Sequence, residues 1–477
     1  MNERRCGLAD STDALAREAN RVPPSTSSRR HPRSVLHRQL PSADRFHRRT
    51  ITWELAPFRE SAQLPRELQR RLLAEAFRSW ATVSPVYFRE IPAPVEAADW
   101  SDRPPADISV SFERLQHGAC RHAFDGPGNE VSHARAAGPI HIDADEDFRG
   151  TLQQQRRQST GPSVDLRRVF IHEIGHTLGL LHSARPDSVM HPANLLRQGG
   201  PAPQIGAQER RLVQKNYGAC SAKVNSVFDW IRTDPERGYP VFNTYFFACE
   251  FYWLFDNSAG RPRLGDPRPV GQGWPGVPDG PDAALELVDF DPAGKDNVYL
   301  LFFFFGGEFL EFDSAKTAAK PGYPKKIADN FGPKPGYPYS VPDRIDSAFY
   351  DYGTGLVHFF KGIWVFIYNP GSARRFKFNN CCESVRRIAD RFPTAPGDKP
   401  LQTPVDSVYF RLADGGLYFF SGREVWQDVA YSAYRPPAAG VPAAGLLRYR
   451  GRASDKWPDL CFPEHSKCDL SEVKLED

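Results

Sequence analysis

The sequence predicts an α/β domain followed by an all-β four-bladed propeller, and two observations support this prediction. The first is the stretch Val169–Pro192, in which histidines recur at helical spacing, together with the strand-like segments that precede it. The second is a unit of about 60 residues that occurs four times in the C-terminal half, with aromatic strands joined by Pro/Gly turns. The chain has 477 residues, enough for two or three domains with cores of their own.

Hydrophobic periodicity places the elements of the first domain. Three segments have the alternation or composition of strands: Thr50–Leu55, Asp107–Phe112 and Gly138–Asp143. Three segments are predicted as helices: Pro65–Val83, Asp165–Leu178 and Gln208–Asn216. The first helix has an apolar face typical of an amphipathic helix, formed by Leu68, Leu72, Leu73, Phe77 and Trp80.

The motif His172-Glu173-x-x-His176-x-x-Gly179-x-x-His182 begins in the second predicted helix and continues beyond its end. Histidines four residues apart lie on one face of a helix and can both reach one Zn²⁺. Gly179 has no Cβ, so the helix can end there and let His182 supply a third nitrogen. An open fourth position is typical of a catalytic zinc, and Glu173 is placed to deprotonate a zinc-bound water.

A core helix with incidental histidines is the alternative interpretation of this motif. It is disfavoured because three buried histidines would each need a polar partner. Met190 follows His182 by eight residues, and the complete pattern resembles that of the metzincins. The resemblance implies that Met190 forms a methionine turn, an apolar floor under the zinc histidines.

Composition excludes several classes of protein. Hydrophobic residues make up 40% and charged residues 25% of the chain, which is ordinary for a globular protein. There is no run of 18 apolar residues, so no transmembrane segment is predicted. The net charge is +3, and the basic excess lies in residues 1–50, so nothing indicates nucleic-acid binding.

The N-terminal segment RRCGLAD contains Cys6 and resembles the cysteine switch of the matrix metalloproteinases. Arg5, Cys6, Gly7 and Asp10 match the switch core PRCGxPD, and both prolines are replaced. In a switch the thiolate occupies the open zinc position and keeps the enzyme latent. A free tail cysteine is the alternative. The resemblance implies a prodomain and a signal peptide before Cys6, so we expect this sequence to begin inside the propeptide.

Two R-x-x-R sites follow in a tail rich in Pro, Ser and Arg, one ending at Arg33 and one at Arg48. Either is a target for a furin-type proprotein convertase, and Arg33 is the favoured cleavage site. A charge run is also typical of a merely solvated segment.

The segment before the zinc helix resembles the part of matrix metalloproteinases that holds a structural zinc. His133 and His141 match two of the family's ligands. Cys120 falls where the family has Asp, and His117 is one residue out of register. Because a thiolate binds zinc well, His117, Cys120, His133 and His141 form a candidate tetrahedral site. The alternative is a strand histidine beside a buried thiol.

The same resemblance implies one Ca²⁺, bound by oxygen donors. The family's carboxylates are matched by Asp125, Asp143 and Glu146, with Gly126, Gly128 and Glu130 around the turn. The loop after His133 is too short for a second calcium segment. A solvated acidic turn is the alternative.

The four C-terminal units begin at Asn225, Asp282, Asp346 and Asp406. The pentapeptides IADNF (327–331) and IADRF (388–392) repeat 61 residues apart. These units resemble the haemopexin-like domain of matrix metalloproteinases. The resemblance places Cys220 and Cys461 to close the ring with a disulfide, with Cys468 as the alternative to Cys461. Such a bond requires a secreted setting.

Together these segments resemble a matrix metalloproteinase over nearly the whole chain, and several of them point to one subgroup. The resemblance implies a metzincin domain, with a twisted five-stranded sheet and three helices, and a haemopexin-like propeller. The expected domains are a propeptide remnant (1–49), a catalytic domain (50–218), a propeller (219–468) and a tail (469–477).

The function implied is that of a secreted endopeptidase, dependent on zinc and calcium, that acts on extracellular proteins. One alternative is a protein that works by binding partners through its propeller, with weak catalysis. Another is a zinc hydrolase acting on a non-protein polymer.

Overall fold

The computed structural model describes residues 45–56, 64–91, 105–117, 120, 123–150, 163–193, 204–220, 222–234, 238, 240–263, 265–289, 298–333, 339–371, 382, 384–431 and 445–462. The structure separates into two compact units, with the boundary between Ala219 and Cys220. Cys6, Arg33, Cys468 and the predicted tail 469–477 lie outside the described residues.

The first unit is an α/β fold in which strands precede and separate three helices. Its first five strands are β1 (Thr50–Leu55), β2 (Tyr87–Glu90), β3 (Ile108–Glu113), β4 (Ser132–Ala134) and β5 (Ile140–Asp143). A short parallel pair follows, β6 (Phe148–Arg149) and β7 (Val164–Asp165). The described helices are α1 (Arg66–Ala81), α2 (Leu166–Thr177) and α3 (Ala207–Tyr217). The predicted strands and helices are therefore confirmed to within two residues at each end.

The five strands form one sheet in the order β2-β1-β3-β5-β4. All neighbours pair in parallel except β4, which runs antiparallel to β5. The predicted α/β architecture, with a five-stranded sheet and three helices, is confirmed in the described residues. The edge strand is β4, which lies beside the predicted strand Gly138–Asp143. The chain folds back in a hairpin, so the three-residue β4 covers β5 and becomes the edge.

The core of this unit lies between the sheet and α1 and α2. The buried face of α1 includes Leu72, Phe77 and Trp80, and Leu68 packs at its margin. Phe77 stacks on Trp53 of β1 with ring centroids 4.9 Å apart. The indole of Trp80 donates to the carbonyl of Ile171 in α2, at 2.9 Å. The apolar face of α1 thus holds α2 against the sheet.

The second unit is a four-bladed antiparallel propeller. Blade 1 has β8 (Ser226–Thr233), β9 (Pro240–Ala248), β10 (Phe251–Asp256), β11 (Arg261–Pro262), β12 (Arg268–Pro269) and α4 (Val270–Gly273). Blade 2 has β13 (Ala283–Asp289), β14 (Val298–Phe305), β15 (Glu308–Asp313), β16 (Ala318–Ala319), β17 (Lys325–Lys326) and α5 (Ile327–Asn330). Blade 3 has β18 (Ser347–Asp351), β19 (Leu356–Lys361), β20 (Trp364–Tyr368), β21 (Ser384–Arg387) and α6 (Ile388–Arg391). Blade 4 has β22 (Ser407–Arg411), β23 (Gly416–Ser421), β24 (Glu424–Asp428), β25 (Leu447–Arg452) and α7 (Ala453–Lys456).

The innermost strands β8, β13, β18 and β22 neighbour one another in a closed ring. Cys220, just before β8, and Cys461, just after α7, form a disulfide that joins the two ends of the ring. The predicted pairing is therefore present, and Cys468 is not the partner of Cys220. Cys249 and Cys382 are disulfide-bonded as well.

The repeated pentapeptides coincide with α5 and α6, and each short helix is followed by a buried aromatic ring. Blades 1 and 4 have the same arrangement in α4 and α7, with Trp274 and Trp457 as the buried rings. The sequence showed this repeat in two blades only, because the other two helices read VGQG and ASDK. Among the described helices, none has the length and apolar character needed to cross a bilayer.

Candidate active site and metal centres

Helix α2 begins and ends at residues whose chemistry determines both boundaries. Asp165 is its N-cap, and its side chain accepts a hydrogen bond from the backbone N–H of Arg167 at 3.0 Å. Gly179 follows the helix with a φ of +84°, a conformation that a residue with a side chain rarely adopts. The backbone N–H of Gly179 donates to the carbonyl of His176 at 2.9 Å. The chain then reverses and brings His182 back to the helix.

His172, His176 and His182 converge, with one ring nitrogen from each lying within 4.8 Å of the others. The Nδ1 of His172 lies 2.7 Å from the carbonyl oxygen of Val189, and the Nδ1 of His176 lies 2.8 Å from that of Leu180. A carbonyl only accepts, so both Nδ1 atoms carry the proton. The Nε2 lone pairs of both rings are consequently directed into the site.

This donor set fits a zinc ion. The Nε2 atoms of His172 and His176 lie 3.1 Å apart, although both are acceptors, and a cation between them is the arrangement that satisfies both. Burial lowers the pKa of His172 to about 3 and also lowers the pKa of His176. Both rings are therefore neutral at physiological pH, which is the form that binds zinc.

Glu173 is fully buried beside the first histidine. Its Oε1 accepts a hydrogen bond of 2.6 Å from the hydroxyl of Ser132 on β4. Glu173 was predicted from the sequence motif, whereas Ser132 was not among the predicted site residues. No local pattern could have revealed it, because 41 residues separate the two side chains along the chain.

Met190 is buried beneath the histidine-bearing helix. A Cβ at Gly175 of α2 would overlap the Met190 sulfur and lie 3.0 Å from Trp80, so this glycine permits close packing of the methionine. The backbone N–H of Met190 donates to Ser188 Oγ at 3.0 Å, and that hydroxyl donates to Glu209 of α3 at 2.5 Å. The turn that contains Met190 is thus held against both helices.

The second group of possible ligands contains His117, Cys120, His133 and His141, whose ligand atoms lie within 4.8 Å of one another. The Nε2 of His133 lies 3.2 Å from His117 Nε2 and 3.2 Å from His141 Nδ1, and Cys120 Sγ lies 3.1 Å from His141 Nδ1. Burial, with the neighbouring histidines, lowers the pKa of His141 to about 4. All four predicted side chains are therefore brought together, and they suit zinc.

Two further contacts orient these rings. The Nδ1 of His117 lies 2.8 Å from the carbonyl oxygen of Leu115, and the Nδ1 of His133 lies 2.8 Å from Glu130 Oε1. Each contact places the proton on Nδ1 and directs the Nε2 lone pair toward the other ligands. Glu130 was predicted from sequence as a calcium ligand, and here one of its carboxylate oxygens holds a histidine.

The remaining predicted calcium ligands surround the turn after β3. Glu146 accepts from the backbone N–H of Gly128 at 2.7 Å, and Asp125 accepts from that of Glu130 at 3.2 Å. Asp143 is buried, and its Oδ2 has no hydrogen-bond partner among the described residues. Burial, followed by nearby acids, raises the pKa of Asp143 to about 6. Within the described part of the chain, only the two histidine-containing groups bring three or more ligand side chains within 4.8 Å, so a calcium near these acids would also use backbone or water oxygens.

Comparison with known proteins connects both units to one family. The matrixin profile of peptidase family M10 matches residues 45–218, and the hemopexin profile matches residues 243–279. Matrix metalloproteinase-21 of Homo sapiens is 34% identical to this chain, over 97% of the chain and 79% of its own length. Matrix metalloproteinase-21 of Mus musculus is 33% identical, over 97% and 80%. Interstitial collagenase of Sus scrofa is 28% identical, over 81% of this chain and 73% of its own length.

Proposed function

Since the chain belongs to the matrix metalloproteinase family and is a zinc metalloendopeptidase, we propose that Glu173 is its general base and that His172, His176 and His182 hold the catalytic zinc. The subgroup indicated by the sequence is that of matrix metalloproteinase-21, in agreement with the relatives named above. The single observation that supports the assignment is the convergence of two Nε2 acceptors 3.1 Å apart next to a buried carboxylate.

Zinc, when bound, supplies a Lewis acid that polarises the scissile carbonyl and acidifies water. Glu173 accepts the proton of the attacking water at Oε2, since Oε1 is engaged by Ser132. The same carboxyl then gives that proton to the departing amine nitrogen. Leu180 and Val189 hold the histidine rings in the required tautomer through their carbonyl oxygens.

The substrate class is proteins of the extracellular matrix or other extracellular proteins, bound as an extended strand. Strand β4 is the edge of the five-stranded sheet, and β5 is its one partner in that sheet. An extended peptide can therefore pair with the outer side of Ser132–Ala134. Strand β5 cannot accept the peptide, because its backbone is already paired on both sides.

The other metal sites are structural in this proposal. His117, Cys120, His133 and His141 hold a second zinc, and the acids around Asp143 hold one calcium. His133 lies on β4 and His141 on β5, so the second zinc would join the edge strand to its neighbour. The buried Oδ2 of Asp143 supports a nearby cation, because a buried carboxylate oxygen without a donor is otherwise costly.

Latency and secretion complete the proposal. Cys6 would occupy the open zinc position until a proprotein convertase cuts after Arg33. The second candidate site is less accessible, because Phe46 is buried and Arg45 donates to the Asn216 carbonyl at 2.6 Å. The Cys220–Cys461 disulfide supports an oxidising, extracellular location.

A peptide-cleavage assay of the zinc-loaded chain tests the role of Glu173. We expect Glu173→Ala to lower kcat/KM by about 10²- to 10⁴-fold with zinc content unchanged. Glu67→Ala is the matched control, since Glu67 is an exposed residue of α1. Equal cleavage by wild type and Glu173→Ala would exclude the proposed base. If the zinc-loaded wild type cleaves no peptide but its propeller binds a partner, the result would favour the binding-protein alternative.

Latency has a separate test. Cys6→Ser should yield an uncut precursor that already cleaves peptide, whereas the wild-type precursor should not. Arg33→Ala should block conversion by furin, and Arg48→Ala should leave it intact. Conversion that depends on Arg48 instead would overturn the choice of site.

A further inference from the structure

The hydroxyl of Ser132 donates a hydrogen bond to Glu173 Oε1, at 2.6 Å. Both residues have 0% exposed surface, so the contact is shielded from bulk water. A hydrogen bond to a charged acceptor in such surroundings is stronger than one at the surface. The contact therefore constrains the carboxylate more than a solvent-exposed hydrogen bond would.

The position of Ser132 on the sheet makes this contact specific. Side chains of a strand alternate between its two faces, and on β4 Ser132 and Ala134 are buried while His133 is partly exposed. Ser132 points to α2, and His133 points to the ligand group with His117 and His141. One short strand thus connects the two candidate metal centres.

We propose that Ser132 is a positioning residue for the general base, holding Glu173 Oε1 so that Oε2 handles the proton. The inference rests on the proposed function, in which Glu173 is the base. The hydroxyl can donate to Oε1 both when Glu173 is ionised and when Oε2 carries the proton, because Oε1 keeps an acceptor lone pair in both states. Ser132 therefore fixes the rotation of the carboxyl group throughout the cycle.

The same residue links substrate binding to catalysis. The backbone of Ser132–Ala134 forms the outer edge of the sheet, where an extended substrate would pair. The Ser132 side chain reaches the base from that same strand. The hydroxyl consequently sets the distance between the strand that holds the scissile peptide and the group that activates water. Misplacement of a catalytic group lowers the rate more than it weakens substrate binding.

The test compares Ser132→Ala, Ser132→Thr and Ser84→Ala in the full zinc-loaded chain. Ser84 is the matched control, because it is equally buried and its hydroxyl donates to the Trp80 carbonyl at 2.9 Å. We expect Ser132→Ala to lower kcat about tenfold, equivalent to about 1.4 kcal/mol, with KM changed less than about twofold. Ser132→Thr retains a hydroxyl and should restore most of kcat, and Ser84→Ala should not change kcat.

A second readout does not depend on activity. The carboxylate stretching band of Glu173 can be assigned from the infrared difference between wild type and Glu173→Gln. We expect this band to shift in Ser132→Ala and to stay in place in Ser84→Ala, with zinc content unchanged in both, although each variant loses one buried hydrogen bond and some stability.

The outcomes separate this inference from the proposed function. If Glu173→Gln abolishes cleavage but Ser132→Ala changes neither kcat nor the infrared band, the positioning role is wrong and the base is correct. If Glu173→Gln cleaves as well as wild type, the proposed function itself fails. Loss of zinc or folding in Ser132→Ala, together with failure of Ser132→Thr to recover kcat, would reduce Ser132 to a structural residue and overturn the inference.

Discussion

Cys120 Sγ lies 3.1 Å from His141 Nδ1, on the side of the sheet opposite the Ser132–Glu173 contact. Cys120 is the one free cysteine within the described residues. Because one cysteine sulfur and three imidazoles can make up a complete tetrahedral set, this contact supports the closed second zinc site that we propose.

The second zinc should depend on this thiol. We expect Cys120→Ala to bind one zinc per chain where wild type binds two, measured by metal analysis after dialysis. Removing one of four ligands leaves a site that water can enter, and zinc affinity should fall by a factor of about 10–100 or more. Cys120→Asp supplies another zinc ligand and should retain both ions. Cobalt substitution gives a check, since a thiolate-to-metal absorption band should be present in wild type and absent in Cys120→Ala.

His172→Ala is the complementary variant for that measurement. It should lose the catalytic zinc and keep the thiolate-to-cobalt band. Retention of two zinc ions by Cys120→Ala would contradict the assignment of the second site.

Packing beneath α2 should make Gly175 intolerant of a side chain. An added Cβ would overlap the Met190 sulfur and press on Trp80. Overpacking of this kind costs about 1–3 kcal/mol, and the better helix propensity of alanine offsets up to about 1 kcal/mol. We expect Gly175→Ala to lower the free energy of unfolding by about 1–2 kcal/mol net, measured by urea denaturation.

Gly271→Ala is the control for this substitution. Gly271 also lies in a helix, and a Cβ there would meet nothing within 4 Å. Its stability should match or slightly exceed that of wild type. An equal loss in both variants would argue against the methionine contact.

The disulfide between Cys220 and Cys461 should stabilise the propeller through its long loop. The two cysteines are separated by 241 residues, and cross-linking a long loop restricts the unfolded chain strongly. We expect the double variant Cys220→Ser/Cys461→Ser to lose about 2–5 kcal/mol of propeller stability in denaturant. Zinc content should not change, because both proposed metal sites lie in the other unit. A denaturation midpoint equal to that of wild type would show that the blades close without the bond.

Asp229 should make the propeller more stable as the medium becomes mildly acidic. Burial raises the pKa of this carboxyl to about 6, despite hydrogen bonds donated by Thr244, Tyr409 and Leu412. A raised pKa means that the native state binds the proton first, so stability falls as pH rises from about 4 to about 6. Above about pH 6 the decrease in stability is complete, and the stability is regained progressively as the pH falls below 6.

The measurement compares wild type with Asp229→Asn at pH 7.5 and pH 5. The advantage of wild type in unfolding free energy should be larger at pH 5, by about 1 kcal/mol. Asp256→Asn is the control. Hydrogen bonds from Ser258 and Ala259 lower the pKa of Asp256, so its contribution should be the same at both pH values. If the difference in unfolding free energy between wild type and Asp229→Asn does not increase on acidification, the pKa of Asp229 is not raised.

Several features of this protein follow from the sequence alone. The spacing of His172, His176 and His182 predicted that their ring nitrogens converge, because helical periodicity and one glycine turn are local properties of the chain. Strand β1 and the three helices were predicted within two residues at each end for the same reason. The repeat of aromatic strands determined the propeller, since each blade has to bury the same apolar face against its neighbours.

The tertiary structure decided what depends on distant parts of the chain. The edge strand β4 is only three residues long, and no periodicity marks so short a strand. Glu130 holds His133, and Ser132 holds Glu173 across 41 residues of sequence, contacts that exist only after β4 packs on α2. Ligand type and helical phase can be read from local spacing. Which neighbour orients a ligand or a base is decided by how the elements pack.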